Sequence, residues 1–116
     1  MKFALNIIVM LFVITSCNSN DVVSKPNTYL NKKDMISVIV DVQILESHYH
    51  NKFQRPNVYA NALDSATLTV FKNHNITKQI FKDNLTFYAI NQDSLYKMYE
   101  AALDTINNKI NSNIVK

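Results

Sequence analysis

Apolar side chains recur every three or four positions through most of the chain after residue 30. That spacing places side chains on one face of an α-helix. In the first such stretch, Met35, Val38 and Val42 lie on one stripe. Two short β-branched runs, 37–40 and 68–71, fall inside the longer period and are therefore assigned to helices. The pattern predicts four helices, at about residues 31–51, 58–73, 78–89 and 92–113.

The links between these segments are short and contain no glycine, because the chain has none. Pro56 fits the break after the first segment. Asparagine also tolerates the left-handed turn that ends many helices, so Asn75 and Asn91 are predicted to end the second and third helices. Thr77 is predicted to cap the start of the third. Short links favour antiparallel neighbours, which gives an all-α, roughly antiparallel bundle of three to four helices.

The first 16 residues have the composition of an export signal. Lys2 gives a positive start, residues 3–14 are apolar except for Asn6, and two small residues follow. The apolar run of about 12 residues is shorter than the ~20 that a membrane-spanning helix needs. We therefore expect a cleaved signal peptide at residues 1–16. An ordinary secretory signal with a chance cysteine beside it is the alternative.

Cys17 is the one cysteine in the chain, and it directly follows Ile14-Thr15-Ser16. These four residues resemble the lipobox of bacterial lipoproteins, which implies that Cys17 becomes the lipidated first residue of the mature protein. Two or three acyl chains anchor a protein stably, whereas one does so only marginally. We therefore expect a lipid anchor in a membrane of the cell envelope, the outer membrane, with the domain facing the periplasm or the cell surface.

The mature chain changes composition at residue 30. Residues 17–29 comprise the lipidated cysteine and a polar flexible tether, and residues 30–116 hold the helical domain. Once Lys2 is removed with the signal, 11 Lys and Arg remain against 9 Asp and Glu, a net charge of +2. The basic residues are scattered, whereas nucleic-acid binding needs a clustered basic face. No nucleic-acid partner is therefore expected.

Asp41 lies on the apolar stripe of the first predicted helix. An unpaired buried carboxylate costs several kcal/mol, so we expect Asp41 to have a partner on another element. Arg55 and Tyr88 are the first candidates for that partner. A polar position in a binding groove is the alternative interpretation of Asp41.

Glu46, His48 and His50 raise the question of a metal or catalytic site. Glu46 and His50 are four residues apart and share a helix face, and His48 lies on the broad face of Asp41. A metal site needs three or four converging ligands, and the one other histidine is His74. No nucleophile with its base and no phosphate-binding loop occurs. We therefore expect no metal, no cofactor and no enzymatic activity.

The aromatic residues of the later helices are expected to fill the core, because each buries 150–250 Å². A ligand pocket is the alternative. The residues concerned are Phe71, Phe81, Phe87, Tyr88, Tyr96 and Tyr99.

Three pairs of Asp with Ser or Thr, each followed by an apolar residue, raise the question of surface modification. They resemble the O-glycosylation signal of exported Bacteroidetes proteins, so glycosylation of at least one is a hypothesis. Helix capping and ordinary amphipathic pattern are the alternative. The hydroxyl residues concerned are Ser65, Ser94 and Thr105.

The order of several short motifs resembles a known family, a Bacteroidetes family of small helical lipoproteins classed as a domain of unknown function. At Asn75 that family more often has Gly, which is compatible with the same left-handed turn. The resemblance implies the helical fold and the lipid anchor, and it implies no activity. The motifs that carry it are Lys25-Pro26-Asn27, Lys32-Lys33-Asp34-Met35-Ile36, Asp41, Glu46, Phe71-Lys72-Asn73-His74-Asn75-Ile76-Thr77, Phe81, Leu85, Phe87-Tyr88 and Tyr96 with Met98-Tyr99.

Three functions remain open at this point. The first is a non-enzymatic interaction module that binds another envelope protein, which predicts a contiguous apolar patch on the surface. The second is a carrier of a small apolar or glycan ligand, which predicts an enclosed cavity lined by Phe and Tyr. The third and weakest is an enzyme or metal protein built on Asp41, Glu46 and His48, which requires those side chains to point to one side.

Overall fold

The computed structural model describes residues 22–114, and it confirms a small all-α bundle of four helices without strands in that range. The predicted signal peptide and Cys17 lie outside the described residues. None of the described helices combines the length and the apolar character needed to cross a membrane. The helices are α1 (Lys32–Phe53), α2 (Pro56–Asn73), α3 (Lys78–Ala89) and α4 (Gln92–Ile114).

The starts of three helices are set locally, two by polar caps and one by a proline. The Asn31 side chain accepts the Asp34 backbone N–H at 2.9 Å and begins α1. Thr77 accepts from the Ile80 N–H at 3.2 Å and begins α3, as predicted. Pro56 begins α2 directly, because its missing N–H is one that a first helical turn leaves unbonded anyway.

The helix ends use two left-handed residues other than glycine. Asn75 has φ 55°, as predicted, and the Ile76 N–H bonds the Phe71 carbonyl at 3.0 Å in a Schellman-type turn. Gln54, with φ 57°, ends α1 in the same region. The left-handed turn predicted at Asn91 is wrong. Its side chain instead accepts the Ser94 N–H at 3.2 Å and caps α4, because the link is too short to hold a separate stop.

The central helix is α1, which contacts each of the other three. It runs antiparallel to α2, because Val38 shares a core cluster with Phe71 while His50 meets Tyr59 at the other end. It runs parallel to α4, because residues 35–40 cluster with Met98 whereas residues 43–47 line a cleft with residues 106–113.

The short helix α3 allows α4 to run in the same direction as α1. It is only 12 residues long and crosses the N-terminal end of α1, where Asn84 and Tyr88 bond Leu30. Within the described range α2 and α4 do not touch each other. The C-terminal half of α1 therefore has α2 on one side and α4 on the other, and its surface between these two helices is not covered by either.

The core consists of two clusters at the α3 end of the bundle. Phe81 packs against both and joins them. Of the aromatic residues expected in the core, Phe71 and Tyr88 are buried, and Phe81 and Phe87 are half-buried. Tyr96 and Tyr99 are exposed, so that expectation is wrong for these two. The clusters are Met35, Ile39, Val40, Tyr88, Met98 and Ala102, and Val38, Phe71 and Ile76.

Candidate interaction surface

The chain entering α1 is fixed to α3 by side-chain hydrogen bonds. We call residues 28–30 the strap. The Asn84 Oδ1 accepts the Leu30 N–H at 2.8 Å, and its Nδ2 donates to the Thr28 carbonyl at 2.7 Å and to the Ile80 carbonyl at 2.8 Å. Asn84 is fully buried, and it is the one buried polar side chain in the described range. Its amide therefore has every hydrogen-bonding atom satisfied where water cannot replace a lost bond.

Tyr88 closes the strap from the next turn of α3. Its hydroxyl donates to the Leu30 carbonyl at 2.8 Å and is hydrogen-bonded to the Tyr29 hydroxyl at 2.7 Å. Lys25 lies 4.0 Å from the centroid of the Tyr29 ring, a cation–π contact. The last two residues of the segment predicted as tether, Thr28 and Tyr29, thus contact α3, and Lys25 contacts Tyr29.

Burial of Tyr88, with its hydrogen bond to Tyr29, raises the pKa of the Tyr88 phenol above its ordinary value. The folded protein therefore favours the neutral phenol, while the unfolded chain ionises it from about pH 10. Stability contributed by this group is complete below pH 10 and is lost as pH rises above it. We expect urea unfolding to show a steeper loss of stability above pH 10 in the wild-type chain than in Tyr88→Phe. Equal slopes would contradict this assignment.

Asp41 is paired, but with neither of its predicted partners. Its Oδ2 accepts from His74 Nε2 at 2.7 Å, and its Oδ1 lies 3.8 Å from Lys109 Nζ. Arg55 precedes α2 at the opposite end of α1, and the Tyr88 hydroxyl is engaged by the strap. The half-buried Asp41 therefore links α1 to the α2–α3 turn and to α4, which is a structural role.

Glu46 and His48 are not placed beside Asp41: His48 shares its face of α1 but lies seven residues, about 10 Å, further along the helix, and Glu46 lies on another face. Five residues separate Asp41 from Glu46, so their side chains point about 140° apart around the helix. Glu46 accepts from Gln43 at 3.3 Å, and His50 lies 3.5 Å from the Tyr59 hydroxyl. No group of three His, Cys, Asp or Glu side chains in residues 22–114 can hold a metal ion.

Surface clefts lie along both sides of α1. A cleft of about 310 Å³ is lined by Glu46, His50 and Tyr59, and one of about 340 Å³ by Ile44, Ile106 and residues around them. Both are open at the surface, and neither is lined by Phe. They therefore differ from the enclosed aromatic cavity that a small-ligand carrier predicts.

Among the described helices, α4 exposes the largest number of large apolar side chains, and they form a stripe along it. We call Tyr96, Tyr99, Leu103, Ile110 and Ile114 the α4 band. They are between 41% and 73% exposed. Monomeric proteins rarely expose contiguous apolar patches above a few hundred Å² without a function.

The α4 band exists because α4 carries two apolar faces and α1 covers one. Tyr99 follows buried Met98, and Leu103 follows buried Ala102. One residue turns the helix by about 100°, so the band points well away from the core. Neither α2 nor any described segment after α4 covers it.

The three predicted glycosylation residues all lie in helices. The Ser65 hydroxyl is exposed and donates to the Asn61 carbonyl at 3.1 Å. The Thr105 hydroxyl is half-buried and donates to the Ala101 carbonyl at 2.8 Å, which leaves it poorly placed for an enzyme. Ser94 lies in the capped first turn of α4. Glycosylation stays a prediction, and Ser65 is the most accessible of the three.

Comparison with known proteins gives one match. The family model described as domain of unknown function DUF4296 matches residues 26–112, from the segment before the strap nearly to the end of α4. No curated protein and no solved structure matches the chain.

Proposed function

We propose that this chain, which belongs to the family of the domain of unknown function DUF4296, is a lipid-anchored module of the bacterial cell envelope that works by binding another protein. The match of a family without an assigned activity leaves the role open. The observation that carries the proposal is the α4 band, an uncovered apolar stripe on a helix whose other face packs in the core at Met98 and Ala102.

The anchor in this proposal is Cys17, lipidated after removal of residues 1–16. The residues between it and the strap number about ten and span at most ~36 Å when extended. Because the strap fixes where the chain enters the bundle, the tether joins the bundle at its α3 end. The α4 band begins near that end and extends away from it, within reach of partners beside the membrane.

Non-enzymatic action is the second part of the proposal. Asp41 is paired to His74, and Glu46 points to another side of α1. Asn84, the one fully buried polar side chain among residues 22–114, is occupied by backbone partners. Asp41, Glu46 and Asn84 thus each have contacts within the fold, which favours a contact function over turnover.

A photo-reactive residue at position 103 of the full chain, in its native host, tests the proposal. Leu103 lies in the middle of the α4 band, and Leu68 on α2 has similar exposure, 48% against 58%. We expect a discrete protein adduct from position 103 and none from the matched control at position 68. No adduct from position 103, or the same products from both positions, would overturn the proposal.

A further inference from the structure

We propose that the partner of the α4 band is a second copy of this chain, with the two α4 helices side by side and parallel. This inference rests on the proposed function, because it names the partner of the same surface. The band residues follow each other at intervals of three, four, seven and four. Ile106, which is half-buried against the core cluster, lies between Leu103 and Ile110 and completes an alternation of three and four from Tyr96 to Ile110.

That alternation is the spacing of a two-helix coiled coil. Side chains repeating at three and four residues form a seam that fits a second helix with the same repeat. The seam runs from Tyr96 to Ile110, and Ile114 lies beside its C-terminal end. In this register Tyr96, Leu103 and Ile110 are equivalent positions, each facing its own copy across a parallel pair.

The exposed area is enough for a weak symmetric interface. The five band residues expose on the order of 500 Å² in total, given 150–250 Å² for a whole aromatic side chain. Two copies would bury roughly 1,000 Å², which is the lower limit for a specific interface. The expected dimer is therefore reversible and is favoured by confinement of both copies to one membrane.

The charges beside the band permit the parallel pair. Side chains five residues apart face each other across such a seam. Glu100 would face Leu95 of the second copy, and Lys109 would face Ile114. No like charges are brought together. Lys97 and Asp93 pair with each other at 2.8 Å on a different face of α4.

The position of the strap selects the parallel over the antiparallel arrangement. A twofold axis along α4 puts both straps at the same end of the dimer, so both tethers can enter one membrane. An antiparallel pair would put the two straps at opposite ends of helices about 35 Å long. The parallel pair is therefore the arrangement in which both tethers reach the same leaflet without one of them being almost fully extended.

Variants of the full chain that each carry one introduced cysteine beside Cys17, oxidised mildly in intact cells, test this arrangement. We expect Tyr96→Cys and Ile110→Cys each to give a covalent dimer of the chain. Lys97→Cys, one residue off the band, and the wild-type chain with Cys17 are the controls and should stay monomeric. Adding Leu103→Glu to Tyr96→Cys should reduce the dimer roughly tenfold or more, because it would bury an unpaired carboxylate.

The outcomes separate this inference from the proposed function. In an antiparallel pair the two copies of residue 96 would lie about 20 Å apart, so a dimer from Leu103→Cys but not from Tyr96→Cys would overturn the parallel arrangement. No dimer from any band position, together with a photo-adduct of position 103 to a different protein, would overturn the second copy while leaving the proposed function intact. Circular dichroism of each variant checks that it is folded.

Discussion

Replacing Asn84 with alanine is expected to lower the free energy of unfolding by about 3 kcal/mol, because three backbone groups lose a buried partner at once. The groups are the Leu30 N–H and the Thr28 and Ile80 carbonyls. The substitution also leaves a cavity at a fully buried position. The strap is expected to detach in this variant, so that the loss reaches the N-terminal segment as well as the core.

Urea unfolding followed by circular dichroism measures this effect, with Asp83→Ala as the matched control. Asp83 neighbours Asn84 on α3, is exposed and bonds Gln79 at 2.7 Å on the surface. Its replacement should change stability by less than about 0.5 kcal/mol. A similar small change for Asn84→Ala would contradict the role of Asn84 in holding the strap. Amide exchange at Leu30, faster in Asn84→Ala than in the control, identifies the strap as the segment released.

Replacing Met98 with alanine is expected to cost about 3 kcal/mol, whereas Leu103→Ala should cost less than about 0.5 kcal/mol. Both residues are large and apolar and lie on α4, five positions apart. Met98 is 2% exposed and packs in the core cluster with Met35 and Tyr88, while Leu103 is 58% exposed on the α4 band. The comparison therefore separates the face of α4 that stabilises the fold from the face that is free to bind.

The same urea titration measures both variants, at protein concentrations low enough to keep the chain monomeric. Raising the concentration should leave the effect of Met98→Ala unchanged and increase that of Leu103→Ala, because only the latter touches the proposed dimer. A loss of several kcal/mol for Leu103→Ala in the monomer would contradict the account, since it would make the band part of the core.

Hydrophobic periodicity predicted the helices well, because each has a stripe that packs on a neighbour. The predicted first helix, about 31–51, compares with Lys32–Phe53, and the last, about 92–113, compares with Gln92–Ile114. The turn and capping preferences of asparagine and threonine correctly predicted the left-handed conformation of Asn75 and the cap at Thr77. They missed the left-handed Gln54, since glutamine has no strong preference for that conformation and only the following Pro56 marked the break.

Residues whose role depends on distant segments were not predictable in the same way. Asn84 is one of many asparagines on a helix, and its burial depends on the strap more than 50 residues earlier. The partner of Asp41 depends on where the α2–α3 turn brings His74. Periodicity identifies a helix's apolar positions without saying how many neighbours it has, so Tyr96 and Tyr99 were assigned to a core that covers only one face of α4.

The intact mass of the protein recovered from its native host, after expression of the full-length chain, tests whether a lipid at Cys17 holds this module at a membrane. The account predicts a chain that begins at Cys17, carries a diacylglycerol and is recovered with membranes. The lipid would account for the parallel orientation of two copies. A soluble product with Met1 retained, or with an unmodified Cys17 thiol, would contradict the account.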